Sequence, residues 1–278
     1  MEILGRTINA ILKRPFILLF FAVITMIVTG INRFNPIIPI LRGLDLITEG
    51  SFIESIVSYL QVLFDPSIIP VFAGFVAAFC IVTSLLAGLF LSGCFNVVNN
   101  AVANNKKKKG EYITGLRKYF GRIFLITLRS LIIAVLLIVF MLVASVPAIV
   151  ITNASITSRP ELIIPAVFVD ILTILVILFG FMFFRAYIFF WYPAALNNEK
   201  KYFAYSRKIV DRHFWSIAAI ILIFDLVFVL FVYLCTYISE PVIYFFVNWI
   251  FYTLFFTLLI TYIFSAYRVY SNRIKERM

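Results

Sequence analysis

The sequence predicts an all-α, polytopic membrane protein with six transmembrane helices, arranged as three hairpins that each follow an amphipathic in-plane helix on the cytoplasmic side. Composition supports the membrane class: 63% of the 278 residues are hydrophobic and 13% are charged, whereas soluble domains are closer to half apolar and a quarter charged. The net charge of +11 does not indicate nucleic-acid binding, because no soluble basic domain exists to carry it.

The clearest amphipathic pattern is EKKYFAYSRKIVDRHF, residues 199–214. Its apolar and basic residues recur with a helical period, which favours a basic helix lying at a membrane surface. Residues 111–124 and 1–16 align with it, and each copy precedes an apolar run. The copies end in Arg14-Pro15-Phe16, Arg122-Ile123-Phe124 and Arg212-His213-Phe214.

This similarity predicts one domain, 1–278, built from repeat units at about 1–105, 106–198 and 199–278. The alternative is that any in-plane helix before a span needs a basic residue and then an aromatic residue at the interface.

The apolar runs predict spans at residues 16–31, 71–91, 123–151, 162–190, 215–237 and 242–267. In the connection before the second span, Ser51-Phe52-Ile53-Glu54 matches a capping box and predicts a helix, either a loop helix covering the spans or a binding lid. In the second span, Ser84, Gly88 and Ser92 form a small-residue stripe. Such a stripe permits close helix packing, within the chain or in a dimer.

Charge predicts the orientation. With the N-terminus inside, nineteen Lys and Arg lie in cytoplasmic segments and three in outer segments, so both termini are expected in the cytoplasm and the protein in the cell membrane. The lysine run is either a solvated, topology-setting loop or an attractor of anionic lipid, worth about 1 kcal/mol per lysine near the surface. The expected lipid contacts are Lys106, Lys107, Lys108, Lys109, Arg14, Arg122 and Arg212.

Four charged residues fall inside the expected spans: Arg129, Asp170, Arg185 and Asp225. Ions are costly in lipid and mark either a functional pathway or a buried pair. Arg129 and Asp225 differ in expected depth by roughly 6 Å, which predicts that they pair, whereas Arg185 is expected to snorkel toward the near interface. A substrate or proton path, or water contact, remains the alternative to structural ion pairs.

No catalytic, metal or cofactor site is predicted. His213 is the single histidine and sits at an expected interface, while Cys80, Cys94 and Cys235 are scattered without a CxxC. There is no P-loop and no carboxylate cluster in a cytoplasmic loop. We therefore expect no autonomous enzymatic activity and no cofactor.

Two motifs carry a family resemblance: the Gly-rich segment GLRKYFGR, residues 115–122, and YPAAL, residues 192–196, before AYS, residues 204–206. With the six-helix plan, they resemble the membrane domain attached to some bacterial glycerophosphodiester phosphodiesterases, and its stand-alone relatives. The resemblance covers nearly the whole chain and implies a membrane fold. The phosphodiesterase domain, with its acidic metal ligands, has no counterpart here, so the hydrolase activity is not implied.

Two functions stay open. The first is a transport, export or lipid-handling component with a polar route around Asp170 and Asp225. The second is a scaffold or regulatory subunit whose basic cytoplasmic face recruits anionic lipid, a membrane protein partner or a second copy. A water-filled cavity reaching Asp225 would favour the first, and a fully paired interior would favour the second.

Overall fold

The computed structural model describes residues 2–33, 66, 69–157, 159–197 and 201–276, and every regular element in these ranges is helical. This confirms the all-α class. The helices follow the chain as α1 Glu2–Lys13, α2 Phe16–Arg33, α3 Ile69–Val102, α4 Glu111–Thr157, a 3₁₀ turn Pro160–Leu162, α5 Ile163–Asn197, α6 Tyr202–Cys235 and α7 Pro241–Lys275. The helix expected to start near Ser51 lies outside the described residues.

Five of the described helices, α3 to α7, are long and apolar enough to cross a membrane, and the bent pair α1–α2 would make a sixth crossing if it counts as one broken span. The membrane-like architecture is thus confirmed, while six crossings remain a prediction. At 1.5 Å per residue, α4 with its 47 residues is about 70 Å long. It therefore exceeds the roughly 30 Å of a hydrocarbon core.

Two of the three Arg-x-Phe copies coincide with a helix break. α1 and α2 meet at 86° around Pro15, because proline lacks the N–H donor and clashes with the preceding turn. His213, at the equivalent position of α6, has non-helical torsions (φ −125°, ψ 21°). The third equivalent, Ile123, is fully buried inside the continuous α4. The separate in-plane helix expected over residues 111–124 is instead the first part of α4.

One compact unit comprises Met1–Phe34, Ser84–Thr127 and Met182–Met278. Within it, α7 packs against α1, α2 and α6. Its apolar interior is built mainly of branched aliphatic and aromatic side chains. The largest that are fully or almost fully buried include Ile17, Val98, Ile123, Phe190, Ile209 and Ile274.

Polar groups fasten the contact between α2 and α7. The hydroxyls of Thr25 and Thr253 lie 2.7 Å apart, and the Trp249 Nε1–H donates to the Ala22 carbonyl at 2.7 Å. Hydroxyl pairs between membrane helices contribute about 0.6 kcal/mol on average. These bonds therefore define the register of the two helices more than they add to stability.

The small-residue stripe of α3 lies against α4 in the same unit. A Cβ on Gly88 would approach the Phe120 ring to 3.0 Å, and Ser84 and Ser92 are completely buried. The side of the stripe at Gly88 therefore makes an intrachain contact. The structure therefore shows internal packing at that position.

The other compact unit comprises Asn35–Thr83 and Leu128–Phe181, of which parts of α3, α4, the 3₁₀ turn and α5 are described. Gly180 of α5 faces α4 so closely that an added Cβ would lie 2.9 Å from Met141 Cε. Many large apolar side chains of this unit are exposed, including Leu136, Phe140, Ile164 and Phe168. Exposed apolar helix surfaces suit a lipid environment.

Candidate functional site

The lysine run lies in the connection between α3 and α4. Asn104 (φ 54°) and Gly110 (φ 77°) adopt left-handed backbone conformations at its two ends, which asparagine and glycine tolerate best. These conformations reverse the chain between the two helices. The four lysines, residues 106–109, are all exposed.

A buried ion pair fastens this connection, which we call the lysine loop (residues 103–110), to the α1–α2 corner. Arg14 Nη1 contacts Glu111 Oε2, and the two side chains are only 5% and 9% exposed. Arg14 Nη2 also donates to the Asn105 carbonyl at 2.9 Å, and the Lys108 backbone N–H donates to Glu111 Oε1 at 3.0 Å. Because both charges are buried and satisfied, the pair holds the loop in one place.

Two polar contacts extend this anchor. Lys13 Nζ donates to Asn104 Oδ1 at 3.0 Å, and Asn96 Nδ2 of α3 donates to the Glu111 carbonyl at 2.9 Å. Arg14 was expected to contact lipid, but its buried guanidinium is engaged inside the protein. Through these contacts Arg14 joins the α1–α2 corner to the lysine loop and to the first residue of α4.

A cavity of about 350 Å³ opens beside the ion pair. Lys107 and Lys108 supply its positive charge, while Phe16, Tyr112 and Ile113 supply apolar and aromatic surface. A second cavity of about 330 Å³ is lined by Asn100, Asn105, Lys106, Lys108 and Glu111. The first combines cationic and apolar walls, as a site for an anionic amphiphile requires.

Two further basic residues expected to contact lipid lie elsewhere in the unit. Arg122 Nη1 donates to the Ala195 carbonyl at 3.3 Å and its guanidinium lies 5.9 Å from the Tyr119 ring centre, so it links α4 to α5. Arg212 is exposed and lines a separate cleft of about 480 Å³ with His213, Arg273 and Ile274.

Asp225 of α6 pairs with Arg185 of α5. Arg185 Nη1 lies 2.5 Å from both carboxylate oxygens, and the guanidinium lies 5.3 Å from the Phe189 ring centre. The side chains are 27% and 35% exposed. The partner expected for Asp225 from the sequence was Arg129, and that prediction is corrected to Arg185.

Arg129 was predicted as the partner because the sequence did not locate the end of α5 and the break in α6. α5 continues to Asn197, seven residues past the predicted end of its span, so Arg185 lies twelve residues from that helix end. Asp225 lies twelve residues beyond the break at His213. Counted from these ends, the two residues are at matching depth, about 18 Å.

The remaining charges within the apolar helices are Asp170 and Arg129. Thr152 Oγ1 of α4 lies 3.0 Å from each carboxylate oxygen of Asp170 in α5, so the hydroxyl donates to this carboxylate. Arg129 lies on α4 with its side chain exposed. Asp170 and Asp225 therefore both have hydrogen-bond partners from a neighbouring helix.

Sequence reasoning missed Glu111 as the partner of Arg14. A signal was present, since Glu111 is the only acidic residue between Asp65 and Glu161 and directly follows the basic loop. Among the described residues, no three His, Cys, Asp or Glu side chains are grouped closely enough to hold a metal ion.

Comparisons of the chain with family models, with curated proteins and with solved structures found no match.

Proposed function

We propose that this chain is a non-catalytic integral membrane protein that binds anionic lipid at its cytoplasmic end and acts as a lipid-handling or scaffold component. The observation that carries the proposal is the lysine loop, held by the buried Arg14–Glu111 pair beside a cavity with cationic and apolar walls. A fixed loop binds more tightly than a mobile one, because less conformational entropy is lost when a headgroup is bound.

The cavity chemistry supports lipid rather than a soluble anion as the ligand. Lys107 and Lys108 suit a phosphate headgroup, and the neighbouring Phe16 and Ile113 suit an acyl chain. The position also agrees with the orientation expected from charge, because positive residues collect on the cytoplasmic side. There they meet anionic lipid and contribute about 1 kcal/mol each.

The proposal of a transport route is less well supported. A substrate or proton path around Asp170 and Asp225 requires carboxylates that can release their partners. Asp225 is held by Arg185 and Asp170 by Thr152. Carboxylates engaged in this way suit helix packing, and this favours the lipid-binding scaffold over the transporter.

The test replaces Lys106, Lys107, Lys108 and Lys109 with Gln and measures binding to nanodiscs of phosphatidylcholine with and without phosphatidylglycerol. The matched control removes the same four charges from exposed positions away from the lysine loop: Arg117, Lys118, Arg207 and Lys208. At about 1 kcal/mol per lysine, we expect the loop variant to lose affinity for the anionic discs by at least tenfold.

The control variant should lose distinctly less affinity, since it keeps the cavity intact. Equal losses in the two variants would show that net charge alone governs binding and would remove the lysine loop as a site. Unchanged phosphatidylglycerol binding in the loop variant would overturn the proposed function. Because surface charge is screened within about 10 Å at 0.1 M salt, the measurement is repeated at low and high salt.

A further inference from the structure

A second basic cleft lies where α6 and α7 meet, within the unit that also holds the lysine loop. It has a volume of about 480 Å³ and is lined by Arg212, His213, Arg273 and Ile274. Three of these four side chains carry nitrogen donors. Basic side chains therefore make up a larger share of its lining than of the cavity at the lysine loop, which Phe16, Tyr112 and Ile113 also line.

The walls of the cleft are held in place. His213 stacks on Tyr270 with ring centres 4.3 Å apart and planes inclined by 13°. The hydroxyls of Tyr205 and Ser271 lie 2.8 Å apart and join the same two helices, about two turns before His213 in α6 and just before Arg273 in α7. Stacking occupies a face of the imidazole, so a hydrogen bond from His213 to a ligand is made at the ring edge.

The helical geometry of α6 is interrupted at His213. Its torsions (φ −125°, ψ 21°) lie outside the helical region in the middle of α6. At this position one imidazole and two guanidinium groups line the same cleft.

The cleft has an excess of positive charge. Arg212 forms no ion pair with any residue in the described part of the chain, whereas Arg273 Nη2 lies 3.5 Å from Glu2 Oε2. Glu2 also lies 3.5 Å from Arg6 Nη2 and is 58% exposed. Contacts of that length are weaker than charge-assisted hydrogen bonds at 2.7–2.9 Å, so Arg273 keeps donors for a ligand.

We propose that this cleft binds a phosphate monoester group, deepening the proposed lipid-binding function, on which the inference rests. A monoester carries about −1.5 to −2 charge at neutral pH and three strong acceptor oxygens. Two guanidinium forks and one imidazole edge match that set. A phosphodiester headgroup, with one charge and two free oxygens, leaves part of the set unmatched.

The monoester can belong to a lipid headgroup or to a soluble phosphate, and the experiment separates the two. The full-length protein is tested with phosphatidylcholine discs that carry phosphatidic acid, or phosphatidylglycerol at matched surface charge. We expect at least tenfold tighter binding to phosphatidic acid. Arg212→Gln and Arg273→Gln should each abolish that preference, while Arg117→Gln, an exposed arginine of α4, should retain it.

His213→Phe keeps an aromatic ring for stacking on Tyr270 but removes the nitrogen donors. We expect it to reduce the preference several-fold, and the melting temperature of the same variant is measured beside it, so that a loss of affinity is distinguished from a loss of folding. If inorganic phosphate binds the protein in pure phosphatidylcholine discs as tightly as phosphatidic acid does, the ligand is a soluble phosphate. If it binds much more weakly, the ligand is the lipid.

Equal affinity of the unmodified protein for the two anionic lipids would overturn the inference. So would a phosphatidic acid preference that survives both arginine substitutions. The proposed function fails separately, through the lysine loop variant and phosphatidylglycerol. Loss of phosphatidylglycerol binding in that variant, without any monoester preference in the unmodified protein, would refute only the inference made here.

Discussion

The Arg185–Asp225 pair gives the most direct test of how this protein holds charge among apolar helices. The perturbation is a cycle of Arg185→Gln, Asp225→Asn and the double variant. Each single substitution leaves one ion without its partner about 18 Å along a helix from its nearest end or break. The two side chains are roughly one-third exposed, so protein atoms cover about two-thirds of the surface of each remaining ion.

The magnitude follows from that position. A lone ion at the centre of a membrane helix costs about 2.5–3.5 kcal/mol on the insertion scale, so we expect each single variant to lose about 3 kcal/mol. The double variant leaves no ion behind. Replacing both members of an ion pair is often close to neutral, so we expect the double variant to lose at most about 1 kcal/mol, instead of the roughly 6 kcal/mol that additivity would give.

The assay is denaturant unfolding in mixed micelles, with the free energy of unfolding measured for all four proteins. Arg207 and Asp211 provide a matched control, because they form an Arg–Asp pair on α6 at 3.5 Å with side chains that are 77% and 47% exposed. Their coupling should stay within about 0.5 kcal/mol. Additive single effects at Arg185 and Asp225 would refute the reasoning and would make Asp225 a candidate for a substrate or proton site.

Three other predictions concern packing, the loop anchor and topology. Gly115→Ala should lower the melting temperature, because its Cβ would lie 2.4 Å from Asn96 Cβ. Gly121→Ala on the same helix meets nothing within 4 Å and should stabilise the protein by up to about 1 kcal/mol. A higher melting temperature for Gly115→Ala than for Gly121→Ala would contradict the packing described for α3 and α4. Glu111→Gln should destabilise by about 3 kcal/mol, since it leaves the buried Arg14 charge uncompensated, and an unchanged thermal unfolding curve would rule out that role. Reporter fusions at three positions should all report the cytoplasmic side, and an external signal from any one of them would refute the topology of six spans with both termini in the cytoplasm. The fusion positions are after Asn105, Asn198 and Met278.

The helices themselves were largely predictable. Apolar runs of the right length predicted helices that the structure confirms, and residues 71–91 and 242–267 lie inside α3 and α7. A boundary between two helices was also predicted between residues 14 and 16, and α1 and α2 meet there at Pro15, which lacks the N–H donor of other residues. His213 carries no such local signal. Its non-helical torsions accompany a stacking contact with Tyr270, more than fifty residues away.

The candidate site was predictable only in part. The lysine run could be read directly, because four consecutive charges between apolar segments cannot be buried in lipid. The ion pair that holds the lysine loop could not be predicted, since Arg14 and Glu111 are 97 residues apart in the sequence. Arg14 was grouped with the lipid contacts because sequence shows charge but not burial. The cleft around Arg212 was missed because Arg273 comes from the end of another helix.

The sequence by itself determined that the chain is helical, that its helices are apolar along most of their length, and where the ions fall along each helix. The tertiary structure decided which ions meet. Each residue turns the helix by about 100° and advances it by 1.5 Å, so a shift of a few residues at a helix end changes both the depth and the direction of a side chain. The seven additional residues at the end of α5 were enough to exchange Arg129 for Arg185 as the partner of Asp225.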